Sequence, residues 1–200
     1  MSDARMPIGA MVHMNSVVQA ATVRHPKLCR LCAALLVWMA AAGAGVPVVR
    51  AAEQLDEEYV KAAFIYNFAK FTQWPGPKAG ALVIGVVGRD SINTALKAIA
   101  QGKVVSGREI VVRGLGKDDD VRAFHIIFIP ASEERRNADV LGRVSGAAVL
   151  TVGESPHFLR DGGIVQFVIR ENRVRFRINA DAADHGGLKI GSQLLLLAKE

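Results

Sequence analysis

Three short runs almost free of charge, residues 82–88 (LVIGVVG), 124–130 (FHIIFIP) and 147–152 (AAVLTV), constrain this chain more than any other feature. Each has the length of a strand and is too uniformly apolar to leave either face in water. Helix-forming stretches separate them. Residues 91–100 place Ile92, Leu96 and Ile99 on one side, and Ser132 is positioned to cap a helix running to Val144, with Glu133 and Glu134 in its first turn. Residues 109–113 add a β-branched strand. Strands buried on both faces need helices above and below them. The expected architecture is therefore α/β, a three-layer sandwich with a largely parallel or mixed central sheet.

The last third changes period. Residues 164–170 and 173–179 flank Glu171-Asn172, which suits a tight hairpin turn. In the second strand Arg173, Arg175 and Arg177 alternate with Val174, Phe176 and Ile178, which predicts one buried face and one arginine face. Gly186-Gly187 then breaks the chain, and residues 188–199 read as a closing apolar helix. Ahead of the first buried run, residues 55–74 predict a helix with two apolar stripes. One is Val60, Phe64, Phe68 and Phe71, and the other is Leu55, Tyr59, Ala62 and Tyr66. Trp74-Pro75-Gly76-Pro77 stops it. Two stripes need cover on two sides, from neighbouring elements or, on the tyrosine side, from another protein.

The N-terminal residues read as a targeting segment. Arg24, His25, Lys27 and Arg30 precede a charge-free stretch, residues 31–44, too short to span a bilayer, for which about 20 residues are needed. That is the pattern of a secretory signal peptide cleaved near Ala51, leaving residues 52–200 as one exported domain. Of the 25 Lys and Arg and 19 Asp and Glu, five basic residues and one acid lie in residues 1–51, so the remainder carries a net charge of only +2. The basic balance belongs mostly to the leader, which argues against a nucleic-acid partner. Cys29 and Cys32 are the only cysteines and also fall in the leader. The exported domain then contains none, and no disulfide scaffold or four-ligand cysteine site can be built.

Catalytic and cofactor patterns fail one by one. Near Gly116-Lys117, Val111 stands where a phosphate loop needs its first glycine, and Asp118 follows the lysine. Gly114 and Gly116 lack the third glycine of a dinucleotide fingerprint, Asp119 standing in its place. The run Asp118, Asp119 and Asp120 has no calcium-loop framework and reads as a solvated turn. His125, His157 and His185 are far apart, and His125 reads as a hydrogen-bonded core histidine. No serine sits in a nucleophile elbow. No pattern for a catalytic centre, a cofactor or a metal remains, which lowers the case for an enzyme without deciding it.

What remains are surfaces. The arginine strand, Arg173, Arg175 and Arg177 with Asn179, offers a positive stripe for a carboxylate or phosphate surface. Beside it, Phe158, Arg160, Gly162 and Gly163 form a glycine-bearing loop of the kind that carries binding. Tyr59 and Tyr66 make a second candidate face. A different class of function, a small-molecule binding protein, would use a cleft at the carboxyl ends of the parallel strands, near Gly88, Pro130 and Gly153.

Several blocks together resemble the periplasmic YfiR-type regulatory proteins. They include Glu58-Tyr59-Val60-Lys61-Ala62-Ala63-Phe64-Ile65-Tyr66-Asn67-Phe68-Ala69-Lys70-Phe71 with Trp74-Pro75, then Ile84-Gly85-Val86-Val87-Gly88 and His125-Ile126-Ile127-Phe128-Ile129. Leu150-Thr151-Val152-Gly153, Gly162-Gly163-Ile164, Arg175-Phe176-Arg177-Ile178-Asn179 and Gly187-Leu188-Lys189-Ile190 follow in order. The resemblance implies a soluble periplasmic regulator, not an enzyme. Its partner would be the periplasmic part of an inner-membrane GGDEF protein (a diguanylate cyclase) or another membrane sensor. An outer-membrane lipoprotein as releasing partner and a homodimer are further expectations it brings. Relatives often place a cysteine where Phe124 stands here, so their redox behaviour does not transfer.

Overall fold

The computed structural model describes residues 48–76 and 80–198, with side chains from Glu57 onward. The chain divides into two units, Met1–Val46 and Pro47–Glu200. The first, with the signal-peptide expectation and both cysteines, lies outside the described residues. Within the second, the alternation of apolar runs and helices gives a seven-stranded mixed sheet in the order β3-β4-β2-β5-β6-β7-β8. Its strands are β2 (Leu82–Val87), β3 (Val104–Val105), β4 (Arg108–Leu115), β5 (Ile126–Ile129), β6 (Leu150–Gly153), β7 (Val165–Arg170) and β8 (Arg173–Ile178). The β4-β2-β5-β6-β7 block is parallel, and β3 and β8 are antiparallel additions at its two ends. The expected three-layer α/β sandwich with a C-terminal hairpin is the fold.

One layer is helix α1 (Val48–Phe71) with α2 (Ile92–Ala100), and the opposite layer is α3 (Asn137–Val144) with two short 3-10 turns, Val121–Ala123 and Ala131–Arg136. Each closes its own apolar cluster. On the α1 side, Phe64 and Phe68 meet Phe167 and Phe176 of the hairpin with ring centroids 5.0–6.2 Å apart. On the α3 side, Val140, Leu141 and Val144 cover Ile127, Ile129 and Val149.

Four local expectations are corrected. The buried arc of α1 is Ala62, Ile65, Phe68 and Ala69, so each predicted stripe supplies one fully buried residue, Phe68 and Ala62, while Tyr59 and Val60 are exposed and Phe64 and Tyr66 half-buried. The helix ends at Phe71, because Thr72–Gln73 (β1) pairs antiparallel with Lys189–Ile190 (β9). Ser132 caps nothing. Extended Pro130 instead starts the 3-10 turn, in which the Glu133 N–H donates to the Pro130 carbonyl at 2.9 Å, and the α-helix begins only at Asn137. The closing segment, residues 188–199, is not one helix: β9 comes first and the helix is only α5 (Ser192–Leu197), while a further short helix, α4 (Ala180–His185), precedes the glycine break. The strand pairing of residues 189–190 and the break at Gly191 cut it.

Candidate functional site

The hairpin turn fixes the candidate surface. Glu171 and Asn172 both have positive φ, 50° and 56°, the left-handed pair that a two-residue turn between right-twisted strands requires. That turn sets the register Phe167↔Phe176, Val168↔Arg175 and Arg170↔Arg173. Since side chains alternate, Phe167 and Phe176 face α1, while Arg177, Arg175 and Arg173 share the other face with Gln166, Val168 and Arg170. The structure thus adds a fourth arginine, Arg170, to the three that periodicity predicts. Among the described residues, none of the four takes part in an ion pair. The α3-side cluster reaches past β6 to Phe158, and Gln166 beside Arg177 is buried, while Arg170, Arg173 and Arg177 are exposed and Arg175 is half-buried.

The adjoining loop behaves differently from the expectation. Phe158 is fully buried, the plug of the α3-side cluster, its ring wedged where side chains on Gly153 and Gly163 would lie. It therefore lies in the core and not on the surface of the loop. Gly163 is buried with it, required by that close approach and not by exposure. Asn179 is also structural: its Oδ1 accepts from the Ala182 N–H at 3.0 Å, capping α4, and its Nδ2 donates to the Leu159 carbonyl at 3.3 Å. That second bond ties the loop to the end of β8. Arg160 and Gly162 are exposed as expected. Gly162 and Asp161 border a hollow of about 670 Å³ beside Leu141, Val144 and His185. On α1, Tyr59 is 46% exposed, so the second candidate face remains open at that residue, while Tyr66 packs against the core.

The cleft anticipated at the strand ends exists. The chain leaves β2 through α2 for β4 on one side and returns to β5 on the other, so the carboxyl ends of β2 and β5 form the topological switch point. A cavity of about 220 Å³ lies there, lined by Glu57, Glu58, Lys61, Asp90, Ser132 and Glu154 among others. Its charged groups already answer one another. The Lys61 ammonium bridges Glu57 at 2.5 Å and Glu154, whose Oε2 accepts from the Ala131 N–H at 2.7 Å. Glu58 accepts from the Ser91 hydroxyl, and Asp90 accepts from the Ile92 N–H at 3.0 Å. Burial opposes the charge on Lys61, yet its hydrogen bonds to Glu154 and Glu57 prevail and hold its pKa above the usual lysine value. Of these carboxylates, Glu154 through Lys61 and Glu58 through Ser91 tie α1 to its neighbours, Glu57 pairs within α1, and Asp90 caps its own turn.

Sequence reasoning missed Lys61. Nothing in its own neighbourhood distinguishes it, because its partner Glu154 is supplied by the far end of β6. His125 is the core histidine expected: its Nδ1 accepts from the Val83 N–H at 3.1 Å, its Nε2 lies 2.8 Å from Arg108 Nη1, and its carbonyl accepts from the Trp74 indole at 3.2 Å. No group of three or more His, Cys, Asp or Glu among the described residues is placed to hold a metal.

A family model described as YfiR/HmsC-like matches residues 58–199. The chain belongs to that family. It is a regulatory family and typically a periplasmic one, and no helix among the described residues of this YfiR/HmsC-like protein is long and apolar enough to cross a membrane. No curated protein matches the chain. Among solved structures, a conserved domain protein from Vibrio cholerae O1 biovar El Tor is similar at 14% identity and a TM-score of 0.49, over 68% of this chain. The chain spans 58% of that protein's length. Phe124 is a fully buried ring lying 4.4 Å under the Arg113 guanidinium.

Proposed function

We propose that this protein is a periplasmic regulator that binds a membrane-bound signalling protein, a diguanylate cyclase, and restrains it by direct contact through the arginine face of the hairpin. The observation that carries the reading is the group Arg170, Arg173, Arg175 and Arg177, which share one sheet face, three exposed and Arg175 half-buried, with no ion-pair partner among the described residues. Four guanidinium groups in that setting suit an acidic protein surface, which they engage through charge-assisted, bidentate hydrogen bonds. Family membership supports a regulatory role, and the self-paired charges of the strand-end cleft weigh against a small-molecule ligand there.

The test is Arg175→Glu with Arg177→Glu. Both side chains alternate away from buried Phe176, so the domain still folds. Cells carrying the double variant at normal protein level are expected to show raised cyclic di-GMP and more biofilm. Unchanged restraint by the folded double variant removes this face from the interface, and Tyr59 on α1 becomes the next surface to test.

A further inference from the structure

We infer that the free edge of β8 takes up an extended strand of the partner, one that carries carboxylates at alternate positions, so that the seven-stranded sheet gains an eighth strand. The inference rests on the arginine-face contact proposed above and specifies how that contact is made.

β8 is the last strand of the sheet. The Asn179 N–H donates inward to the Ile164 carbonyl at 2.8 Å, and backbone direction alternates along a strand. The N–H groups of Arg173, Arg175 and Arg177 therefore point at β7, and those of Val174, Phe176 and Ile178 point out of the sheet. No backbone or side-chain partner for these three outward groups exists among the described residues. At the opposite end of the sheet, β3 pairs with Arg108 and Glu109 of β4. The β8 edge is thus an unused ladder of donors and acceptors, the feature through which one chain adds a strand to another.

The side chains say what kind of strand fits. An added strand alternates in phase with β8, so every second residue lies beside Arg173, Arg175 or Arg177, and opposite charges in such cross-strand neighbours attract. The intervening residues lie beside Val174 and Ile178, both half-buried and apolar. An acidic–apolar alternation satisfies both faces at once. A second copy of β8 does not fit, because antiparallel pairing of two such strands sets arginine beside arginine on the same face. The row of arginines therefore blocks self-association along this edge while admitting an acidic strand.

A capped eight-residue peptide alternating Glu and Val is the probe, with the corresponding Lys and Val peptide as control, both at low ionic strength. The Glu peptide is expected to bind the wild-type domain and to slow amide hydrogen exchange at Val174, Phe176 and Ile178, and the Lys peptide to do neither. Val174→Pro removes one outward N–H and leaves every arginine in place, so the affinity should fall about tenfold. Failure of the Glu peptide to bind, or binding that leaves the three amides unprotected, overturns strand addition. If binding without protection is lost in Arg175→Glu with Arg177→Glu, the arginine face stands and only the mode of contact falls. If the double variant binds the peptide as well as wild type does, the arginine-face reading fails as well. The exchange measurement uses wild-type protein, so it decides the matter even if Val174→Pro does not fold.

Discussion

The ring of Phe158 occupies the space that a side chain on Gly163 would need, and the Gly163 N–H donates to the Phe158 carbonyl at 2.9 Å. Ring and backbone thus lock the loop between β6 and β7 from within. Gly163→Ala forces its methyl into a packed aromatic and should cost about 1–3 kcal/mol, as overfilled cores do. Phe158→Ala empties the same place and should cost about 3–5 kcal/mol. Urea denaturation of both variants checks this. Wild-type stability in Gly163→Ala would show that the loop yields and is not locked.

Lys61 should matter for stability well beyond a surface lysine. Its side chain is 13% exposed between Glu57 and Glu154. An exposed pair contributes roughly 0–1 kcal/mol and breaking a fully buried one costs roughly 3–5 kcal/mol, so Lys61→Met is expected to fall between those limits. The pH dependence has a definite sign. A lysine whose folded pKa is raised contributes stability that is fully present below its unfolded value of 10.5 and is lost as pH rises through the folded value. Melting curves should therefore show a wild-type advantage over Lys61→Met that holds from neutral pH to about 10 and shrinks above it. An advantage that persists undiminished in stronger base would assign it to packing of the lysine stem.

His125→Phe keeps a buried ring but removes the acceptor of the Val83 N–H at the start of β2. An orphaned buried donor costs about 1–3 kcal/mol, and the loss should appear as a lower denaturation midpoint with an unchanged m-value. A variant as stable as wild type would mean that water reaches the Val83 amide.

Export and redox behaviour can be read in one preparation. Cleavage near Ala51 would remove Cys29 and Cys32 and leave a chain without cysteine. Mass spectrometry of the periplasmic fraction should find a mature N-terminus near Ala52. The thermal midpoint of that protein should be the same with and without dithiothreitol, since no bridge is present to add its typical ~2–4 kcal/mol. A reductant-dependent midpoint would show that the leader cysteines survive in the mature protein.

Periodicity is a property of neighbouring residues, and what it encodes was legible in the sequence. The charge-free runs at β2, β5 and β6, the Glu171-Asn172 turn and the arginine alternation of β8 all stand where the sequence places them. So does the arginine face itself, since a side chain's side of a strand follows from counting by two. Burial of a loop residue is not local. Phe158 reads as an exposed anchor until α3 and two glycines close around it, and Asn179 reads as a contact until α4 forms beneath its carboxamide. Lys61 finds Glu154, and Thr72 finds Ile190, across most of the chain. These partners are chosen by which surfaces the packed layers bring together, and no window of sequence contains both halves of such a pair.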